Sequence, residues 1–579
     1  PSPAKSGPKA FLLGFAAMGV ATFLAIVATN VVVDPFQIFG FVSIEGFNAQ
    51  RFKAATEARM MKAIQVCLRN PTAAVMGTSR VEVGMDPLHP GWQDGARPYN
   101  LALPGMGLAE LDMTFRHLVH AAPALKQAAI GLDFLMFNAN REAHVFGMEV
   151  FGFDRRRLMI APGDSCLRAV ATDVYRVLGV SALRYSVGTI FEQMPTPESV
   201  GARFDGTMAN LWVAQYDRRG YRGGFFDALR LISRRSGSRR FFDFDDHHGA
   251  GQEAAYVDRI WRASPEKRYC FTRAGSDTRE VFRSMVDFAY QSGVDVRLFI
   301  NPIHARMLVA IRDAGLWPTY EAWKRDITGI VEEEGRRLGR PPLPLWDFSG
   351  FNSVTSETIP AYGVTSPQMR YWWEPSHYQS LVGAMMLDRI LGHVEFGRDV
   401  PGDFGVRLDS ATIDGFIGQT RRGALAYAAA HPDEIGILTE AVDHVMEGQE
   451  GADCGEDVQA LYDGLKLRSA GDPAAAEAAF ERGKAIHEAQ RRLYAEIDAP
   501  FREAGFYPLL DRVRAGERIY PPLATADEYE ARARSRMSAG DRDGALRDVA
   551  VGLTLEPGKR TLVQLRDEAQ SVFASAGIH

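Results

Sequence analysis

The longest uninterrupted apolar segment of the chain lies close to its N-terminus. From Ala10 to Val33 no residue carries a charge, and a helix of that length, rising 1.5 Å per residue, crosses about 30 Å of hydrocarbon. A cleavable signal has an apolar region of only about 7 to 15 residues followed by a small-x-small site. Residues 26–30 (IVATN) match that site poorly. The pattern therefore predicts an uncleaved transmembrane anchor within residues 1–34.

The charges that flank this segment predict its orientation. Lys5 and Lys9 precede it, and Asp34 follows it. Positive residues are retained on the cytoplasmic side of a membrane. We therefore expect the N-terminus in the cytoplasm and the body of the chain outside it.

Beyond the anchor, short apolar runs alternate with helical patterns. The runs predict strands at 73–76, 98–103, 127–134, 294–300 and 343–348. The helix after the second strand has a predicted buried face formed by Leu108, Leu111, Phe115 and Leu118. Another helix is predicted over 376–394. This alternation is typical of an α/β fold in which helices cover both faces of a parallel sheet, here over residues 35–400.

Two regions depart from this alternation. Residues 139–270, rich in Phe, Arg and Gly, are predicted to be an insertion that forms either a wall or lid of the site or an extra packing subdomain. Residues 401–579 are rich in Ala and Glu with helical periodicity, which predicts an all-α domain. The SAGD sequence at 469–472 recurs at 538–541, about twice the 34-residue period of tetratricopeptide repeats (TPR). TPR-like helix pairs bind a protein partner or form a plain helical cap, and both readings stay open.

Composition and charge exclude some classes of function. At roughly 100 to 200 residues per domain, a chain of 579 residues is expected to form three or four units. The net charge is −6 and the basic residues are scattered. Nucleic-acid binding requires a concentrated basic face, so no nucleic-acid partner is expected.

The metal-ligating residue types do not form a recognisable site. The four cysteines include no C-x-x-C pair, which argues against zinc or thioredoxin-like sites. Three of them lie in apolar or helical patterns, so we expect buried thiols and place no disulfide. The DFDDHH run at 243–248 is interpreted as a charged, solvated loop, because adjacent side chains diverge and do not readily share one ion.

Two short motifs contain candidate catalytic residues. Ser79, in the sequence GTSR, directly follows the strand predicted at 73–76, and catalytic residues of parallel sheets lie at such strand ends. Glu374 precedes His377 by three positions in the sequence EPSH, close enough for the carboxylate to orient the imidazole. If the two motifs meet in space, the chain is a serine enzyme.

The sequence around His377 suggests how this histidine could act as a base. Pro375 disfavours helical geometry at Glu374, and Ser376 with Gln379 fits a capping box that would begin a helix. His377 would then occupy the first helical position, where the helix dipole disfavours the imidazolium. We therefore expect a neutral His377 that can accept a proton.

The chain resembles the SGNH hydrolase superfamily, in particular the AlgJ/AlgX-like and DltD-like proteins of bacterial envelopes. The GTSR sequence at 77–80 is similar to the family's nucleophile block, YNLALPG at 99–105 to its second block, and EPSH at 374–377 to its acid-x-x-His block. The resemblance implies a flavodoxin-like three-layer αβα fold, anchored in the bacterial inner membrane with a periplasmic body. It also implies that Ser79 is the nucleophile, His377 the general base and Glu374 the orienting acid, without a cofactor.

The chain departs from the family pattern at two positions. Glu374 stands where most members have Asp, and LDFLMFN at 132–138 occupies the place of the Gly-x-Asn block that completes the oxyanion hole. The predicted oxyanion donors are the Ser79 N–H, a backbone N–H near Gly105, which we favour, and the amide of Asn100 or Asn138.

Three further polar residues lie near predicted strand ends and are candidates for contact with substrate. They are Arg80, His304 and Asp347. His304 is a possible second base, although a structural histidine after a strand is the more common case. Asp347 could replace Glu374 as the orienting acid.

Taken with the resemblance, these residues predict an enzyme that transfers or removes an O-acyl group on a cell-surface polysaccharide. We expect this group to be acetyl. A transferase would need a membrane-bound partner to deliver the acyl group, because acyl-CoA is cytoplasmic. The alternative is a non-catalytic scaffold of a polysaccharide-modifying complex. A Ser79 hydroxyl more than about 6 Å from the His377 ring would favour the scaffold.

Overall fold

The computed structural model describes residues 8–140, 154–191, 269–359 and 369–432 with a few short gaps, and shorter segments beyond them, chiefly 471–486, 526–538 and 558–575. The DFDDHH run at 243–248 and Cys454 lie outside the described residues. Ten strands are described: β1 (Ala73–Met76), β2 (Pro98–Asn100), β3 (Gln127–Leu132), β4 (Thr272–Arg273), β5 (Ser276–Asp277), β6 (Asp295–Ile300), β7 (Leu345–Asp347), β8 (Trp372–Glu374), β9 (His377–Tyr378) and β10 (Val406–Arg407).

Six of these strands form one sheet in the order β10-β7-β6-β3-β1-β2. Only the β10–β7 pair is antiparallel within this sheet. The five parallel strands have the order of flavodoxin-type doubly wound sheets, in which the strand order reverses between the first and third strands. All five predicted strands are present, although those predicted at 98–103 and 127–134 end earlier, at Asn100 and Leu132, and that predicted at 343–348 covers only Leu345–Asp347.

The helices flank this sheet and extend beyond it. They are α1 (Pro8–Val33), α2 (Ala58–Arg69), α3 (Ser79–Gly84), α4 (Leu108–Ala121), α5 (Cys166–Leu178), α6 (Val180–Phe191), α7 (Thr278–Ser292), α8 (Ala305–Asp313), α9 (Trp317–Arg337), α10 (Ser380–Leu391), α11 (Ile413–Ala430), α12 (Ala526–Ser538) and α13 (Arg560–Ser575). Two short 3-10 turns, Phe134–Phe137 and Arg155–Arg157, and a helical run over 473–486 are also described.

The sheet is buried on both faces, because side chains alternate along each strand. In β1, Ala74 and Met76 pack into the core that contains α4, α7 and α9, whereas Ala73 and Val75 pack into the core that contains α10. The predicted buried face of α4 is confirmed, since all four of its predicted residues are buried. The parallel sheet with helices on both faces is therefore present.

The α/β unit continues beyond residue 400, where the sequence predicted its end. Val406 of β10 pairs with Asp347 of β7, and Phe416 and Ile417 of α11 belong to the main core. Farther along the chain, α12 and α13 pack together. Ala533 and Leu562 lie in the hydrophobic cluster between them.

A disulfide joins Cys67 of α2 to Cys166 of α5, with 5.5 Å between their Cα atoms. The expectation of plain buried thiols is wrong for these two residues. Their separation of 99 residues gave no local signal of pairing. The two cysteines are adjacent because α2 packs directly against α5. A bridge that closes so long a loop typically stabilises a fold by about 2–4 kcal/mol.

The N-terminal helix α1 is long and apolar enough to cross a membrane. Its residues 8–25 are exposed, but its C-terminal end packs into the body of the protein. The buried Asn30 amide donates to the carbonyls of Leu178 and Gly179, both at 2.9 Å, and its oxygen accepts from the Ser186 hydroxyl at 2.8 Å. The end of α1 is therefore an integral part of the fold.

Candidate active site

Ser79 lies at the carboxyl end of β1, on a tight turn into the short helix α3. Gly77 in this turn has φ of 151°, and a Cβ atom there would lie 2.6 Å from Val81 Cγ2, so only glycine fits. The Thr78 hydroxyl accepts a long hydrogen bond of 3.4 Å from the Arg80 N–H and caps the helix. Ser79 is the first helical residue and is partly exposed.

The fold brings Ser79 and the second motif together, although they are 298 residues apart along the chain. Ser79 Oγ lies 2.8 Å from His377 Nε2. His377 Nδ1 is in turn hydrogen-bonded to Glu374 Oε1. Both Glu374 and His377 are buried. The three side chains thus form a hydrogen-bonded series from hydroxyl to imidazole to carboxylate, the arrangement of a serine triad.

The local structure that holds His377 differs from the predicted helix terminus. His377 lies in β9, which pairs with β8 in a tight hairpin, and helix α10 begins only at Ser380. The predicted capping box and the effect of the helix dipole on His377 are therefore wrong. Ser376 instead donates its hydroxyl to Glu374 Oε1 at 2.7 Å and its N–H to Oε2 at 2.9 Å.

The hairpin places Glu374 across from His377, so the longer glutamate side chain reaches the imidazole. Burial by itself would raise the pKa of the Glu374 carboxyl. The neighbouring His377 imidazole and the hydrogen bonds from Ser376 outweigh burial and hold this pKa below its ordinary value. Glu374 is therefore ionised near neutral pH and suited to hold the Nδ1–H of His377.

A buried arginine ties this hairpin to the serine turn. Arg80 donates through Nε to the Ser376 carbonyl at 2.7 Å and through Nη1 to Asp133 Oδ1 at 2.5 Å. Asp133, directly after β3, also accepts from the Thr78 hydroxyl at 2.5 Å. We call this set of contacts, made by Arg80, Asp133, Thr78 and Ser376, the Arg80 clamp. It joins the ends of β1 and β3 to the hairpin of Glu374 and His377.

The clamp changes the interpretation of two residues. Arg80 was a candidate for substrate contact, but its Nε and Nη1 groups donate to Ser376 and Asp133 instead. Asp133 was not among the predicted site residues, although a carboxylate directly after a buried apolar strand was a usable signal. It lies directly after β3 and binds Arg80 there.

The predicted oxyanion donors differ in what they contact. The Ser79 N–H belongs to the first turn of α3, where a helix leaves its N–H groups without intrahelical partners. Gly105 lies after β2 in a turn with φ of 67°. The Asn100 amide donates to the Val81 and Met85 carbonyls at 3.1 and 3.0 Å, which ties β2 to the end of α3. The Asn138 side-chain oxygen accepts hydrogen bonds from the backbone N–H groups of Asn140 and Cys270.

Helix α2 holds the loop that carries Gly105. Lys62 donates to the Ala102 carbonyl at 2.6 Å and to Glu82 Oε1 at 2.9 Å. Arg59 donates to the Pro104 carbonyl at 2.9 Å and pairs with Glu110. Burial lowers the pKa of Lys62, although Glu82 opposes this effect. The sequence did not indicate these residues, because their role depends on the packing of α2 against the loop.

His304 and Asp347 lie near strand ends but have structural contacts. His304 Nε2 donates to the Glu357 carbonyl at 2.8 Å, and Nδ1 accepts from the Arg306 N–H at 3.3 Å. Both ring nitrogens are thus in use, and the second-base hypothesis is not supported. Asp347 pairs with the buried Lys324 at 2.7 Å. It does not replace Glu374, which itself bonds to His377.

His304 still supports the site through its backbone. Its N–H donates to the Pro375 carbonyl at 2.9 Å, in the turn between β8 and β9.

A small cavity of about 20 Å³ behind the clamp is lined by Arg80, Asp133 and Asn301, among others. It has room for one water molecule. Within the described residues, no group of three or more His, Cys, Asp or Glu side chains is arranged to hold a metal ion.

A comparison with known protein families, characterised proteins and solved structures finds no match for this chain. Its own geometry must therefore indicate the chemistry. A hydroxyl, an imidazole and a buried carboxylate in this series can remove the proton of Ser79 and generate a nucleophile.

We expect Arg80→Met to destabilise the protein by about 3–5 kcal/mol, because it leaves the Asp133 carboxylate buried without its cation. Urea unfolding followed by tryptophan fluorescence measures this loss. Arg80→Met/Asp133→Asn should recover part of it, because the second change removes the buried charge. Arg325→Met is the control at a more exposed arginine, which pairs with Asp414 and lies 3.8 Å from Glu321, a carboxylate that keeps Arg421 as a partner. We expect its effect to be within about 1 kcal/mol. Equal effects of Arg80→Met and Arg325→Met would contradict the clamp.

The pKa of Glu374 predicts how its contribution to stability depends on pH. Because its folded-state pKa lies below the ordinary value of 4.5, the ionised carboxylate stabilises the fold above that pH, and this contribution disappears as the pH falls through the folded pKa. We expect Glu374→Gln to be less stable than wild type at pH 7 and the difference to shrink in acid. Urea unfolding at a series of pH values measures it, with the exposed Glu45→Gln as control. A difference independent of pH would contradict this role.

Proposed function

We propose that this chain is a membrane-anchored serine acyltransferase or esterase of SGNH type, acting on O-acetyl groups of a cell-surface polysaccharide outside the cytoplasm. One observation carries the proposal. Ser79 Oγ lies 2.8 Å from His377 Nε2 at the carboxyl end of a parallel strand. The buried Glu374 is bonded to the far side of the same imidazole.

The mechanism follows from this series of hydrogen bonds. His377 takes the Ser79 proton as the oxygen attacks the acyl carbonyl, and Glu374 stabilises the imidazolium. The tetrahedral intermediate collapses to an acyl-serine while His377 returns the proton to the leaving oxygen. A sugar hydroxyl or water, deprotonated by His377, then attacks the acyl-serine and regenerates the Ser79 hydroxyl.

The oxyanion of the tetrahedral intermediate requires donors near Ser79. We assign this role to the Ser79 N–H and to a backbone N–H near Gly105. Asn100 is not assigned to it, because its amide N–H groups donate to the Val81 and Met85 carbonyls. The described contacts of Asn138 use its oxygen, so its amide N–H remains a candidate donor. Lys62 and Arg59 position the Gly105 loop from behind. Asp133 replaces the family's third block as a positioning residue through the Arg80 clamp.

Three features support a location outside the cytoplasm. The helix α1 is long and apolar enough to span a bilayer. Asn30 and Val33 at its end are buried against the body, which favours a retained anchor over a cleaved signal. The disulfide between Cys67 and Cys166 is typical of an oxidising compartment. We therefore place the N-terminus in the cytoplasm and the body in the periplasm, anchored in the bacterial inner membrane.

A transferase in this location would receive its acyl group from a membrane-bound partner, since acyl-CoA is cytoplasmic. The anchor and the TPR-like C-terminal helices are the surfaces we assign to such partners. The SGNH resemblance supports the polysaccharide substrate. The alternative, a non-catalytic scaffold, would be favoured by a serine more than about 6 Å from its base. The observed contact supports the enzyme instead.

The test is hydrolysis of p-nitrophenyl acetate by the detergent-purified full chain. We expect Ser79→Ala to lower kcat/KM by about 10³-fold or more, because the nucleophile is lost. Ser410→Ala, an exposed serine outside the site, is the matched control and should retain the wild-type rate. Equal rates for Ser79→Ala and wild type would remove Ser79 from the mechanism and favour the scaffold.

A further inference from the structure

The level at which α1 leaves the membrane follows from its length and contacts. A span of about 20 residues crosses the hydrocarbon core, and counting from Ala10, the first residue after Lys9, places the end of the span at Thr29. The next residue, Asn30, bonds to the carbonyls of Leu178 and Gly179. Leu178 ends α5, and Gly179 is the single residue between α5 and α6. With α1 as the proposed anchor, this count puts the turn between these two helices at the boundary between hydrocarbon and headgroups.

The helices α5 and α6 form a hairpin that is firmly attached to this end of α1. Both helices pack against α1. The Ser186 hydroxyl of α6 donates to the Asn30 oxygen at 2.8 Å. The residues after α1 pack into the same unit, since Phe36 and Ile38 share a hydrophobic cluster with Val177 and Ala182. The hairpin is thus held at a fixed height relative to the span.

This hairpin carries apolar side chains that face away from its own core. Val180, Val187 and Phe191 lie on one side of α6, and Phe191 is 82% exposed. On α5, Leu167 is also 82% exposed and Tyr175 is 75% exposed. In the segment that follows α1, Phe41 and Ile44 are exposed as well. We call these seven exposed side chains, of the hairpin and of the segment directly after α1, the apolar platform.

We propose that the apolar platform lies in the outer boundary of the lipid bilayer, so that the α5–α6 hairpin acts as a second membrane contact beside α1. This inference rests on the proposed anchoring of α1 and goes beyond it. The lipid bilayer is the expected partner of the platform, because the platform adjoins the end of the proposed membrane span. A surface of this kind, fixed at the level where the span leaves the hydrocarbon, meets the acyl chains and headgroups of the lipid already around α1.

The charges of the hairpin fit this position. Arg184, on the same side of α6 as Val180 and Val187, lies over the ring of Tyr185 at 4.4 Å. An arginine beside a tyrosine among apolar side chains is typical of the headgroup level, where the guanidinium binds phosphate while its stem stays in the apolar layer. Asp173, by contrast, is buried in a pair with Arg157 and does not face the platform.

Membrane contact at the hairpin would also fix the active site relative to the bilayer. Cys166 at the start of α5 is bonded to Cys67 of α2. Helix α2 in turn holds the Gly105 loop through Lys62 and Arg59. The disulfide thus links α5, which carries part of the platform, to α2, which supports the site. The site is therefore held at a defined height above the membrane.

The test uses the full chain reconstituted in phosphatidylcholine vesicles, with and without lipids brominated on the acyl chain near the headgroup. Brominated chains quench tryptophan only on contact. We expect them to remove about half or more of the emission added by Phe191→Trp, since interfacial helices bury their apolar face about 5–10 Å deep. Tyr175→Trp provides a second position on α5. Phe396→Trp is the matched control, because Phe396 is fully exposed outside the platform, and it should not be quenched.

The outcomes separate this inference from the proposed anchor. If alkaline carbonate extracts the chain from the vesicles, α1 is not an anchor and the platform inference falls with it. If the chain resists extraction but Phe191→Trp and Tyr175→Trp are quenched no more than Phe396→Trp, the anchor stands and the platform is wrong. Quenching at both platform positions in pure lipid supports the bilayer, because no protein partner is present.

Discussion

The candidate site depends on one buried ion pair, between Arg80 and Asp133. Ser79 and His377 lie on separate parts of the chain, and their contact requires that the β1 turn and the β8–β9 hairpin keep a fixed relative position. Arg80 supplies that link, because its guanidinium binds Asp133 at the end of β3 and the Ser376 carbonyl in the hairpin. We infer that this buried pair contributes more to the relative position of the two segments than to net stability. Here it aligns a hydroxyl with an imidazole.

A second set of buried cations supports the neighbouring loop. Lys62 and Arg59 of α2 bind the Ala102 and Pro104 carbonyls, and a charged donor to a carbonyl is stronger than a neutral one. The same helix is cross-linked to α5, which packs against α1, the helix that is long and apolar enough to cross a membrane. The elements that carry the proposed chemistry and those that we propose to meet the membrane are therefore connected through packed helices.

Features that depend on local sequence pattern were predicted correctly, whereas features that depend on contacts between distant residues were not. The parallel strands were found because apolar runs are bounded by turn residues, and the contact between Ser79 and His377 was anticipated from strand-end placement and family resemblance. The helix terminus at His377 was wrong, because pairing with Trp372–Glu374 favours a strand there. Asn100 and Asp347 were offered as site residues although tertiary partners, the end of α3 and Lys324, engage them. No local pattern could show the disulfide or the cations of α2.

The central claim is that Ser79 forms a covalent acyl intermediate. It is tested most directly by acid-quenching the full chain during turnover of p-nitrophenyl acetate and mapping acetylation by peptide mass spectrometry. We predict an acetyl group on the peptide that contains Ser79, and its absence when His377→Ala removes the base. Turnover without acetylated Ser79 in the quenched enzyme, or an acetyl group at another residue, would contradict the account.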